Sequence, residues 1–114
     1  MSDQTLDGLQ VLDLGQLYNA PYCALILSYM GADVIKVEPP YGEPLRSRVD
    51  EGEPAEIVML NSSKKGITLN LKKQRGKELF RQLAEDSDVL VENYSTGTME
   101  KLGLGYEALS ELNP

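Results

Sequence analysis

Histidine and tryptophan are absent from the 114 residues, and cysteine and phenylalanine occur once each. Without imidazole there is no histidine base or ligand, and neither a Ser–His nor a Cys–His pair. The single thiol, Cys23, excludes an intramolecular disulfide and gives no cysteine metal cluster. No apolar run reaches the roughly 18 residues of a membrane helix. Residues 1–8 are polar and acidic, unlike a secretory leader. These absences lead to the expectation of a reduced, cytoplasmic protein with no membrane partner. The length allows one domain or part of one, and is short for a complete α/β enzyme.

What is present is unevenly charged. The chain carries a net charge of −7, yet its halves differ. Residues 1–60 hold ten acids and three bases; residues 61–114 hold eight of each. Seven bases fall within 64–81 (Lys64, Lys65, Lys72, Lys73, Arg75, Lys77 and Arg81), against one acid, Glu78. Such a run reads either as a solvated helix face or as an anion site. Nucleic acid is excluded as a partner, because the whole chain is acidic and carries no nucleic-acid module.

The stretch from Leu9 to Glu38 organises the rest. An apolar strand is expected over 9–14, a polar turn over 15–20, a helix over 21–30 and a second strand over 33–38. Pro21 suits the first turn of that helix and Gly31 its C′ position. The helix is apolar on nearly every side, from Tyr22 to Met30, which predicts burial on more than one side. Two strands joined by one helix predict a right-handed parallel βαβ unit. Pro39-Pro40 then opens a connection expected to be long and irregular, over 39–60. Ile67–Leu71 alternates as a half-buried strand does, and Gln74–Glu85 has the period of an amphipathic helix. Val89–Val91 is expected to form a short buried strand. A short helix near Met99–Leu102, capped by Ser95 or Thr96, and an amphipathic turn or two over Tyr106–Leu112 complete a doubly wound α/β pattern.

Ligands of an open parallel sheet sit beyond the carboxyl ends of its strands. Those ends are residues 15–20, 38–42 and 92–97. The first is also the N-terminus of the first helix, whose free N–H groups and dipole favour an anion. Asn19 is expected to cap that helix. A dinucleotide fold would need Gly-x-Gly-x-x-Gly in this turn, and only Gly15 is there; no P-loop pattern exists either. Glu92 reads as a structural hydrogen-bond acceptor.

Four stretches in order carry a likeness. They are Leu6–Asp13 (LDGLQVLD), Gly31–Pro40 (GADVIKVEPP), Asn61–Lys72 (NSSKKGITLNLK) and Asp88–Tyr94 (DVLVENY), the last followed by Gly97 and by Met99–Tyr106 (MEKLGLGY). In these the chain resembles the N-terminal part of the family III CoA-transferases, the group that includes formyl-CoA and carnitine-CoA transferases and related acyl-CoA racemases. The resemblance runs from Leu6 to Pro114. It implies a Rossmann-like parallel sheet, the N-terminal part of a large domain, left incomplete within 1–114. It implies an enzyme that moves CoA between carboxylic acids through an aspartyl-CoA thioester, with acyl-CoA and an acceptor acid as partners. No permanently bound cofactor and no metal are expected. By the same resemblance Gln16, Leu17, Tyr18 and Asn19 lie against CoA, and Leu69, Leu71 and Lys72 line the adenine and ribose phosphate. Asn93, Tyr94 and Ser95 form another CoA contact, and Lys101 stands where a phosphate-binding arginine is common.

The sequence departs from the family pattern at Ala20-Pro21, where Gly-Pro is usual, and at Ser95-Thr96 after the aromatic. Lys101 replaces a guanidinium fork by a point charge. The family's nucleophilic aspartate falls beyond Pro114, so no catalytic residue is assigned here, and Asp13 and Asp33 are read as structural. The resemblance further implies an interlocked homodimer at full length and an inactive piece at this length. The alternatives are an acyl-CoA racemase of the same family and a non-catalytic CoA- or nucleotide-binding module.

Overall fold

A computed structural model describes residues 3–114. Its core is a parallel four-stranded sheet of β1 (Gln10–Asp13), β2 (Asp33–Glu38), β3 (Lys65–Thr68) and β4 (Val89–Val91) in the order β3-β2-β1-β4. That is the strand order of the first part of a doubly wound nucleotide-binding sheet. Helices cover both faces. Val11 and Val34 pack with Ala24 of α1 (Asn19–Tyr29) on one side. On the other, Leu12, Leu14 and Val37 pack with Phe80 of α3 (Gln74–Glu85), Met99 of α4 (Thr98–Lys101) and Leu104; Leu109 of α5 (Tyr106–Leu112) closes this layer. Neighbours along β1 thus serve opposite cores, as the alternation of a strand requires. Gly31 ends α1 with φ +109°, the left-handed C′ residue expected.

Several expectations are corrected. The connection 39–60 is not wholly irregular: it holds a 3-10 turn, Pro44–Arg48, and a helix α2, Ala55–Asn61, which share a small core of Leu45, Ile57 and Leu60. β3 begins two residues earlier than the alternation of Ile67–Leu71 predicts, and all four of its residues are exposed, at the edge of the sheet. Leu69, one residue past it, is buried. β4, expected to be buried, exposes Val89 and half-buries Leu90 and Val91. The first helix buries Ala20, Pro21, Ala24 and Leu25 only; Tyr22, Cys23, Ile26, Tyr29 and Met30 are exposed, since the sheet covers one side of it. Asn19 does not cap this helix. The N-cap is Tyr18, without a side-chain bond, and Asn19 is already helical. The cap of α4 is Gly97 at φ +86°, and neither Ser95 nor Thr96 caps it through a side chain.

The basic run 64–81 is not one patch. The Lys64 side chain is 1% exposed; its ammonium donates to Asp13 Oδ2 (2.7 Å), the Pro21 carbonyl (2.9 Å) and Asn61 Oδ1 (3.1 Å). Burial pulls the Lys64 amine below its ordinary pKa of 10.5, with Asp13 opposing. Lys65 instead pairs with Asp33, and Arg75 with Glu78, both in solvent. No helix among the described residues is long and apolar enough to cross a membrane.

Candidate functional site

The carboxyl ends of all four strands border one groove of about 790 Å³. Leu14 and Gln16 follow β1; Val37 and Glu38 end β2 and Pro39–Tyr41 follow it. Leu69–Lys72 follow β3, and Asn93–Ser95 follow β4. Thr98 and Leu102 close the groove from α4. These strand ends include the point where the chain leaves β1 for β2 on one side and β4 lies on the other, the switch point at which such sheets bind ligands.

Each wall has a local cause. The β1–α1 turn is tied to the β4 end by the Asn93 amide, which accepts from Gln16 N–H (2.8 Å) and donates to the Gln16 carbonyl (2.9 Å). Gly15 is required by close packing: a Cβ there would lie 2.6 Å from Ala20 Cβ and 2.8 Å from Asp13 Oδ1. Beneath the turn, Asp13 is 0% exposed and accepts Gly15 N–H at 2.7 Å, while the Lys36 ammonium donates to the Gly15 carbonyl at 2.7 Å. On the far wall Asn70 Oδ1 accepts Lys72 N–H (3.1 Å), an Asx turn that sets the Lys72 backbone. Glu38 is bound by two nitrogens of Arg46, at 2.6 and 2.8 Å, and these bonds hold its carboxyl below the usual 4.5. Arg46 also pairs with Glu53, so its charge is satisfied within the chain. Glu92 accepts Tyr94 N–H (2.9 Å), the structural bond expected of it. Burial pushes the Tyr94 phenol above its ordinary 10.0.

The groove gathers Gln16, Leu69, Leu71, Lys72, Asn93, Tyr94 and Ser95. Leu17, Tyr18 and Asn19 stand outside its lining, exposed, with Tyr18 bonded to Arg48 (2.8 Å). Lys101 lies outside the lining as well, exposed at the end of α4. Glu38 and Pro39–Tyr41, from the strand end expected at 38–42, also line the groove, as do Leu14, Thr98 and Leu102, which sequence reasoning did not single out. A second hollow of about 590 Å³ lies between β4 and α5; its Ser87 carbonyl already accepts from Asn113 (2.7 Å), and it holds none of the candidate residues. Among the described residues no three His, Cys, Asp or Glu side chains cluster as a metal site would.

Comparison with known proteins decides the lineage. The family model described as CoA-transferase family III matches residues 6–114. The chain belongs to CoA-transferase family III. Among members of that family, it is 45% identical over 116 residues to the succinyl-CoA:mesaconate CoA-transferase of Haloarcula marismortui, covering 96% of this chain and 29% of the relative. It is 36% identical to the formyl-CoA:oxalate CoA-transferase of Streptomyces coelicolor, covering all of this chain and 28% of that one. The crystal structure of a CAIB/BAIF family protein from Brucella suis superposes with a TM-score of 0.93 at 36% identity, covering 99% of this chain and 32% of the other. The chain thus spans less than a third of the length of these relatives.

Proposed function

We propose that this chain forms one wall of the CoA site of a CoA-transferase that moves CoA between carboxylic acids through an enzyme aspartyl-CoA thioester. Acyl-CoA and an acceptor acid are its substrates, and an interlocked homodimer is its full-length form. The nucleophilic aspartate lies outside these 114 residues, and the chain alone turns nothing over. The observation that carries this proposal is the convergence of seven candidate residues from three strand ends on one groove at the switch point. Its chemistry suits CoA. Apolar Leu69, Leu71 and Leu102 offer a surface for a base, Lys72 a charge for phosphate, and the Gln16 side-chain amide a neutral partner for the amide-bearing arm.

Calorimetry with CoA at low salt is the test. Lys72→Ala is expected to weaken binding by about 1 kcal/mol, roughly fivefold, and to flatten its salt dependence. Lys101→Ala, outside the groove lining, is expected to cost less. Equal binding by wild type and Lys72→Ala at every salt concentration would refute this placement of the phosphates.

A further inference from the structure

In an open α/β sheet the N–H groups of the first βα turn commonly face a ligand's phosphate. Here each of the three N–H groups after Leu14 already has a partner within the chain. Gly15 N–H donates to Asp13 Oδ1 (2.7 Å), Gln16 N–H to Asn93 Oδ1 (2.8 Å) and Leu17 N–H to Glu43 Oε1 (2.6 Å). Residues 15–17 therefore offer no free donor; the N–H groups of Asn19 and Ala20 at the start of α1, on which the anion expectation rested, are not among these bonds. Two of the three acceptors are carboxylates. Glu43 is the less expected one: it comes from the connection after β2, lies 26 residues from Leu17, and is only 3% exposed. Its second oxygen accepts Leu45 N–H (2.9 Å), which fixes the carboxylate from behind. Leu17 itself sits at φ +63°, a left-handed conformation that costs a non-glycine residue about 1–2 kcal/mol.

We propose that Glu43 is a specificity-determining residue whose carboxylate fills the anion position of the β1–α1 turn and keeps phosphate out of it. A phosphate arriving there meets no free donor on residues 15–17 and the Glu43 carboxylate at short range, and like charges a few ångströms apart repel. Asp13 is offset by Lys64 and Lys36, whereas the oxygens of Glu43 are held by backbone N–H groups alone. Residues 15–17 are left for an uncharged part of the ligand, and the charged end is directed toward Lys72. The ligand's name rests on the CoA proposal above; the exclusion of phosphate is a property of the turn itself.

The test is an amide-resolved NMR titration of the protein with inorganic pyrophosphate. In the wild type the Gly15, Gln16 and Leu17 amides are expected to stay unmoved up to roughly 10 mM, above the millimolar dissociation constant that about 4 kcal/mol of binding provides. In Glu43→Ala the Leu17 amide is expected to shift saturably, with at least about tenfold tighter binding at the turn. Glu43→Gln keeps the side-chain volume and one carbonyl acceptor; it is expected to show a smaller gain, and it serves if the alanine variant does not fold. A saturable wild-type shift at Leu17 overturns the proposal, as does a folded Glu43→Ala protein whose turn stays silent. If neither variant folds, the wild-type titration decides alone. A gain at Leu17 in the variant with no wild-type response at Lys72 would count against the placement of CoA phosphates and leave the role of Glu43 standing.

Discussion

Asp13→Ala is expected to remove most of the stability of this fold. Asp13 is 0% exposed, and its Oδ2 faces two ammonium groups, Lys64 at 2.7 Å and Lys36 at 3.8 Å. Those lysine side chains are 1% and 4% exposed, so water cannot replace the lost partner. Breaking a buried pair from one side costs about 3–5 kcal/mol, because a charge is left without compensation. The same change strips Gly15 N–H of its acceptor, a further penalty of about 1–3 kcal/mol for a buried donor. Total stability of a domain is about 5–15 kcal/mol, so the sum rivals it. Urea midpoints measure the effect. The paired change Asp13→Leu with Lys64→Met is expected to recover part of the loss, since it removes a charge of each sign and Lys36 keeps the Gly15 carbonyl, while Lys36 still lacks its carboxylate and Gly15 N–H its acceptor. A loss below about 1 kcal/mol for Asp13→Ala would contradict the buried-pair account.

Gly76→Ala is expected to damage both stability and the groove. A Cβ at position 76 would lie 2.0 Å from the Asn70 carbonyl oxygen and 2.7 Å from its carbon. Both atoms are backbone, so no rotamer relieves the contact. Either α3 or the Asn70–Lys72 segment must move by roughly an ångström or more to reach ordinary contact distance. Overpacking costs about 1–3 kcal/mol or more, and the better helix propensity of alanine returns about 1. The overlap is with backbone atoms, which puts the cost at the upper end, for a net loss of about 2 kcal/mol or more in urea melts. The moving segment carries Leu71 and Lys72, so CoA affinity falls with it. A Gly76→Ala protein with unchanged stability and CoA affinity would show that the close approach of α3 to Asn70 has no such role.

These two positions show where the sequence was readable. The unit from β1 to β2 was legible because the apolar runs, Pro21 and Gly31 all agree on it. Helix α3 was legible from its period, and its observed span matches the expected one. The order of the strands and the switch point needed the structure. Lys64 looked like one more surface lysine, because a run of charges carries no direction; its burial is decided by Asp13, 51 residues away. A signal did exist in β2: Lys36 stands in an apolar strand, where a buried lysine needs an acid. Helix α2 escaped notice because seven residues are too few for a period to show. The clamp of Glu43 on Leu17 was invisible because it joins residues 26 apart, and no local pattern announces such a bond. Asn19 looked like a cap, yet it is the first helical residue and Tyr18 is the N-cap.

The most direct measurement of the central claim is an amide-resolved NMR titration of the protein with CoA. Binding in the groove at the carboxyl ends of the strands predicts saturable shifts at Tyr41, Leu71, Lys72, Asn93, Tyr94 and Ser95, with Val89, Tyr106 and Ser110 unmoved. Shifts centred on Ser87–Leu90 and Tyr106–Asn113, or none at about millimolar CoA, would contradict it.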